Sequence, residues 1–198
     1  MTRTFPSGSD HRCSWCLSDP IYIDYHDQVW GVPEVDENRL FAKLLLDGAQ
    51  AGLSWITILR KQEGYYRAFD QFDPMKMAHY DDPKIQVLLQ DPGIVRNRQK
   101  VAAFVQNARC YLDMKEAGID FSAFLWEFVE GRTLQNSFDE LSDLPAQTRE
   151  SQAMSTALRQ RGFKFVGPTI CYAFMQAVGM VNDHLTSCYR WEQLRQID

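Results

Sequence analysis

The stretch Ser151–Gly179, SQAMSTALRQRGFKFVGPTICYAFMQAVG, decides the architecture. Ala153, Met154, Ala157 and Leu158 recur at helical spacing, and Arg159 and Arg161 fall where cations complement the C-terminal end of the helix dipole. Gly162 supplies the stop. Pro168 then takes the favoured first position of a second helix, and Ile170, Cys171, Phe174, Ala177 and Val178 mark its buried face before Gly179 closes it. The segment therefore reads helix, short hairpin, helix. Hairpins of this kind can bind a phosphate backbone through main-chain amides and the positive end of the following helix. Lys164 offers charge there, Gly167 exposes its N–H, and Thr169 lies in the first turn beyond. A tight αα connection that needs glycine only for packing has the same appearance.

Helical periodicity also governs the chain upstream. Asp36 is placed as an N-cap before Leu40, Phe41, Leu44, Leu45 and Ala49. A helix from about Arg98 to Lys115 carries Val101, Phe104, Val105, Ala108 and Leu112 on one face, with Gly118 after its end. Shorter helices are expected around Asp82–Leu89 and Phe121–Val129. The polar stretch Thr133–Arg149, with Pro145, reads as a surface connection holding at most a helical turn. No alternating β pattern exceeds a few residues, so the expectation is one all-α domain over residues 1–198, with residues 1–11 a polar tail.

The composition fits that reading. A chain of 198 residues is long enough for one core, and 45% hydrophobic with 24% charged residues is globular. No apolar run approaches the ~20 residues of a bilayer span, and the first residues lack a signal-peptide core. A cytoplasmic protein without membrane contact is expected. The net charge of −5 does not favour nucleic acid, but local patches decide phosphate binding. Arg96–Lys100 and Arg159–Lys164 are two such patches.

Five cysteines in a reducing compartment point to buried thiols or metal ligands. Cys13 and His26 lie near one end; His184 and Cys188, spaced i, i+4 as on one helical turn that Asn182 or Asp183 could cap, lie near the other. Two thiolates and two imidazoles complete a tetrahedral shell for structural zinc. Two unrelated pairs, or a set built on Cys13-x-x-Cys16, remain open on spacing alone. Cys110 and Cys171 sit on apolar helix faces and read as core.

The chemistry gathers elsewhere. Trp15, Tyr22, Tyr25 and Trp30 crowd a short segment, and Trp55 follows in Gly52-Leu53-Ser54-Trp55. Aromatic faces with a few polar tips suit a planar heterocycle taken out of a DNA stack, although any one ring by default fills core. Asp47 interrupts an otherwise apolar helix, where an unpaired carboxylate is costly and should have a raised pKa. It either reaches solvent, caps a neighbour, or serves a site. Gly48, Ala49, Ala51 and Gly52 leave room for another body to approach.

Taken together, Arg12–Trp15, Asp19–Asp27, Trp30–Glu34, Gln50–Thr57, Arg161–Gly167 and Val181–His184 closely resemble the bacterial 3-methyladenine DNA glycosylase I family, over residues 12 to 188. The resemblance implies a helix-hairpin-helix DNA glycosylase fold, with one structural zinc joining the N- and C-terminal segments through Cys13, His26, His184 and Cys188. It implies hydrolysis of the N-glycosidic bond of 3-methyladenine in double-stranded DNA, with the free base as product; a monomer is expected. Trp15, Tyr22, Tyr25, Trp30 and Trp55 match its base pocket and Asp47 aligns with its base-binding glutamate; of these, Asp47, Tyr25 and Trp55 are expected to be catalytic. Leu53 falls where the family presents an apolar plug, and Gly52, Leu53, Lys164, Gly167 and Thr169 are the expected DNA contacts. Asp47 departs from the family's glutamate by one methylene. The stretch Gly167–Ile170 lacks the lysine of strand-cutting relatives, so the expected enzyme is monofunctional. A lesion-binding protein without catalysis and a zinc-stabilised helical adaptor are the competing readings.

Overall fold

The computed structural model describes residues 11–196, and most of the expected polar tail lies outside them. The architecture is helical. In chain order the helices are α1 (Pro20–Gln28), α2 (Glu37–Gln50), α3 (Trp55–Leu59), α4 (Gln62–Ala68), α5 (Pro74–Met77), α6 (Asp82–Leu88), α7 (Arg98–Glu116), α8 (Phe121–Trp126), α9 (Arg149–Gln160), α10 (Pro168–Ala177) and α11 (Tyr189–Arg195). Polar caps set many of the starts: Asp19, Asp36, Asp73, Asp81, Asn97, Asp120 and Thr148 each accept a first-turn backbone N–H.

α2 is the central element. Leu40, Phe41, Leu44, Leu45 and Leu46 are buried, and α2 contacts α3, α7, α8 and α10. Its Gly48 lies against the hairpin between α9 and α10, where an added Cβ would sit 3.2 Å from that of Phe165. This close approach fixes the hairpin beside the end of α2 that carries Asp47. Phe163 and Val166 anchor the hairpin in the core, and Phe165 takes a left-handed φ of 55°. Asn107 of α7 brackets it, accepting from Lys164 N at 2.7 Å and donating to Lys164 O at 3.0 Å. Ser155 of α9 donates to Val166 O at 2.6 Å.

Two local expectations are corrected. The connection between α8 and α9 is more than a surface loop. Its Leu134–Gln135 strand (β1) pairs in parallel with Val181–Asn182 (β2), and Phe138 bridges to Leu185. Such a short parallel pair shows no alternating pattern of its own, because its partner comes from the far end of the chain. His184 and Cys188, moreover, do not share a helical turn. They flank a turn closed by Cys188 N donating to Leu185 O at 2.8 Å, and α11 begins only at Tyr189. Asp183 does not cap it; its carboxylate instead accepts from Asn136, Tyr172 and Gln176.

Candidate functional site

α1 and the Ser14–Cys16 turn place Trp15, Tyr22, Tyr25 and Trp30 together. The Trp15 ring lies edge-on to Tyr22 at 5.4 Å and to Trp30 at 5.1 Å, and the Tyr25 ring tilts against Trp55 at 5.4 Å. Tyr22 also acts outside the ring cluster, where its hydroxyl oxygen accepts Ile56 N at 2.9 Å. That bond occupies an orphan donor of the first turn of α3 and so fixes Trp55.

Asp47 enters the same space from α2. A cavity of about 230 Å³ is lined by all five aromatics together with Lys43, Asp47, Gln50, Leu144, Ala173 and Gln176. Every residue expected at the catalytic and base-binding positions therefore lines one cavity. Asp47 is 1% exposed; its Oδ1 accepts from Lys43, while Oδ2 and the Trp55 Nε1–H have no partner. Burial raises the Asp47 pKa, and the adjacent ammonium opposes that rise. Burial, with Asp47 and Tyr22 nearby, pushes Tyr25 well above the ordinary phenol value, so it stays a neutral donor. The residues lining the cavity thus include an aromatic enclosure, a carboxylate with one unpartnered oxygen and an indole with an unpartnered N–H.

Lys43 is the residue that sequence reasoning missed. It stands one turn before Asp47, an i, i+4 spacing that brings the two side chains together. Its Nζ also lies 4.1 Å from the centre of the Trp55 ring.

Behind the aromatic wall sits the cysteine–histidine cluster. The ligand atoms of Cys13, His26, His184 and Cys188 lie within 4.8 Å of one another, and all four residues are buried. Cys188 Sγ is 3.4 Å from His26 Nε2 and 3.5 Å from His184 Nδ1, and Cys13 Sγ is 3.7 Å from His184 Nδ1. Tetrahedral zinc with N and S ligands requires edges of roughly 3.3–3.8 Å, and these three edges fall in that range. The outward nitrogens are engaged as well: His26 Nδ1 is 2.8 Å from the Asp27 carboxylate and His184 Nε2 is 3.2 Å from Trp30 O. Those acceptors turn the lone pairs of the other two nitrogens inward, as metal ligands require. The hydrogen bond with Cys13, then those with the histidines, draws the Cys188 thiol pKa far down, while Cys13 is driven up. Arg12 holds Asp27 through bonds of 2.9–3.0 Å. Cys16 stands apart from the set, donating to Cys13 O at 3.1 Å, and burial pushes its thiol up to about 11.

The cluster and the cavity share rings. Trp30 stacks on His26 at 6.3 Å and meets His184 edge-on at 4.5 Å, and Trp15 packs on His26 at 5.5 Å. Whatever fixes the two histidines also fixes two walls of the cavity.

The expected DNA-contact residues lie outside the cavity. Gly52 (φ 76°) and the exposed Leu53 form the turn after α2, and Lys164 and Thr169 are exposed while Gly167 is half-buried. The basic patches divide. Lys100 is taken inward, its Nζ donating to Ala49 O and Ala51 O at 2.7 Å each, whereas Arg96 and Arg98 remain exposed. Arg159 bonds Ser155 Oγ, and Arg161 lies 4.5 Å from the Phe124 ring.

Residues 15–191 match the family model for methyladenine glycosylases. DNA-3-methyladenine glycosylase 1 of Escherichia coli is 51% identical over 177 residues, covering 89% of this chain and 95% of its own. A crystal structure of a 3-methyladenine DNA glycosylase I aligns with TM-score 0.89 at 49% identity, over 90% of this chain and 98% of its own. The Staphylococcus aureus 3-methyladenine DNA glycosylase I, solved to define its recognition of 3-methyladenine, aligns with TM-score 0.85 at 40% identity, over 92% and 97%.

Proposed function

The chain belongs to the methyladenine glycosylase family, and we propose that it hydrolyses the N-glycosidic bond of 3-methyladenine in alkylated double-stranded DNA, releasing the free base. The observation that carries this reading is the unpartnered Oδ2 of buried Asp47, a residue that lines the same cavity as five aromatic side chains. A buried acceptor without a donor is costly, and an exocyclic amine of an extruded base would satisfy it.

N3-methylation leaves the nucleoside cationic, so its base departs without strong acid catalysis. The pocket's work is selection and desolvation. Trp55, Trp15 and Trp30 enclose the ring, Tyr22 fixes the α3 turn, and the neutral Tyr25 hydroxyl and Trp55 Nε1–H donate to it. Asp47 complements the positive charge. The bond's electron pair leaves with the base, and water captures the sugar cation and sheds a proton.

Leu53 fills the gap left by the extruded base. Gly52, Lys164, Gly167 and Thr169 hold the phosphates on the face where the hairpin meets the end of α2. Cys13, His26, His184 and Cys188 hold one zinc ion, whose filled shell serves structure by tying the two chain ends and steadying Trp15 and Trp30. The enzyme acts as a cytoplasmic monomer. Among the described residues no helix is long and apolar enough to cross a membrane. It is monofunctional: Gly167–Ile170 offers no amine.

The test is release of free 3-methyladenine from alkylated DNA by wild type, Asp47→Asn and Asp47→Glu. Release by wild type and its loss in Asp47→Asn are expected. No release by wild type refutes the reading, and binding without release would leave a lesion-binding protein. Borohydride trapping of a protein–DNA adduct would refute monofunctionality.

A further inference from the structure

A cationic base needs an anion and an aromatic face. In this cavity both already serve a cation of the protein's own. Lys43 donates to Asp47 Oδ1 and places its ammonium 4.1 Å from the centre of the Trp55 ring. Its side chain is 14% exposed, and burial lowers its pKa while Asp47 raises it. A methylated base entering beside it would bring a second positive charge into a space of about 230 Å³, where screening is weak.

The ammonium has somewhere to go. Lys43, Tyr25 and Trp55 also line an adjoining cavity of about 700 Å³, whose walls include Asp24, Gln28, Glu63 and Arg67. The lysine thus stands at the boundary of two spaces, one built for a flat base and one bearing two carboxylates against a single guanidinium.

We propose that Lys43 is a specificity-determining gate: its ammonium holds the subsite of the cationic base, withdraws toward the adjoining cavity when such a base enters, and returns after cleavage to expel the product. This rests on the excision reading above. The charge cycle supports it. When the N-glycosidic bond breaks, its electron pair stays on the base, which becomes neutral; the sugar cation takes up water and releases a proton. The cation that displaced Lys43 has then disappeared, and Asp47 and the Trp55 face are again best satisfied by the lysine. A neutral, undamaged base never gains the charge attraction needed to move Lys43, so the same device discriminates against normal DNA.

Lys43→Met and Lys43→Gln remove the charge at similar length, and Lys43→Arg keeps it. Binding of free 3-methyladenine is read by tryptophan fluorescence, and excision from methylated DNA under single and multiple turnover. In the two uncharged variants free base should bind at least about tenfold tighter, KM for methylated DNA should fall, and kcat should fall as release becomes limiting, with a burst of first-turnover product. Lys43→Arg should retain weak product binding. Wild-type release of base, combined with unaltered or weaker product affinity in both uncharged variants, overturns the gate alone. Failure of wild type to release base removes the reading beneath it. Two uncharged variants guard against one failing to fold.

Discussion

Lys100→Met tests the link between the α2 terminus and the Gly52–Leu53 turn, the proposed DNA contact. Lys100 is 7% exposed and donates to Ala49 O and Ala51 O, both at 2.7 Å. These carbonyls belong to the end of α2, where the helix dipole is negative and backbone acceptors lack helical partners. Two charge-assisted bonds contribute about 3 kcal/mol, and sparing an ammonium its desolvation offsets about 1 kcal/mol of that, leaving a net loss of about 2 kcal/mol. For a chain of this size that lowers Tm by about 4–8 °C. The lysine also fixes Gly52 and Leu53, which follow Ala51 directly. KM for methylated duplex DNA should therefore rise by more than affinity for free 3-methyladenine falls, because the turn follows the clamp directly whereas, of the cavity residues, only Gln50 lies within it. Calorimetry and steady-state excision read the two effects. A Tm within about 1 °C of wild type, or equal losses of DNA and free-base affinity, would refute the reasoning.

The remaining predictions concern the proposed metal, the proposed DNA face and one glycine. Purified protein should contain one zinc per chain by elemental analysis, and Cys188→Ser should lose it and alter tryptophan fluorescence, since Trp15 and Trp30 pack on His26. A fully stable wild type without metal would count against the site. Lys164→Ala should weaken binding to all duplexes and reduce the slope of log affinity against log salt by about 1. Leu53→Ala, at a side chain 40% exposed, should leave stability within about 0.5 kcal/mol of wild type yet raise KM for duplex DNA. Gly179→Ala should cost at least about 3 kcal/mol by denaturant titration, because φ is 72° and the new Cβ would lie 2.5 Å from Pro33 N.

What is legible in the sequence follows from locality. The helix-hairpin-helix segment, the Asp36 cap and the α7 face are set by residues within a few turns of one another, and the structure has them at Arg149–Gln160, Pro168–Ala177, Glu37–Gln50 and Arg98–Glu116. The short helices α1, α3, α4 and α5 are not marked by periodicity in their four to nine residues, whereas α6 and α8, no longer than these, are legible where their apolar positions cluster. β1 and β2 depend on partners about 47 residues apart, and a spacing rule for helices misplaces His184 and Cys188, which meet across a turn.

The site shows the same division. Asp47 stands out because a carboxylate contradicts its apolar neighbours, whereas Lys43, one turn earlier, passes for an ordinary charged helix residue. Its meaning comes from Trp55, which α3 carries back over α2 and which Tyr22 holds in place. An oddity of burial can be seen along one helix, but a charge that balances it becomes functional only when a second element closes the space. If Lys43 were merely a solvated partner for Asp47, its ammonium would point outward along α2. It lies instead against the Trp55 ring, on the wall a base would use, so recognition here turns on an exchange of cations as well as on the shape of the pocket.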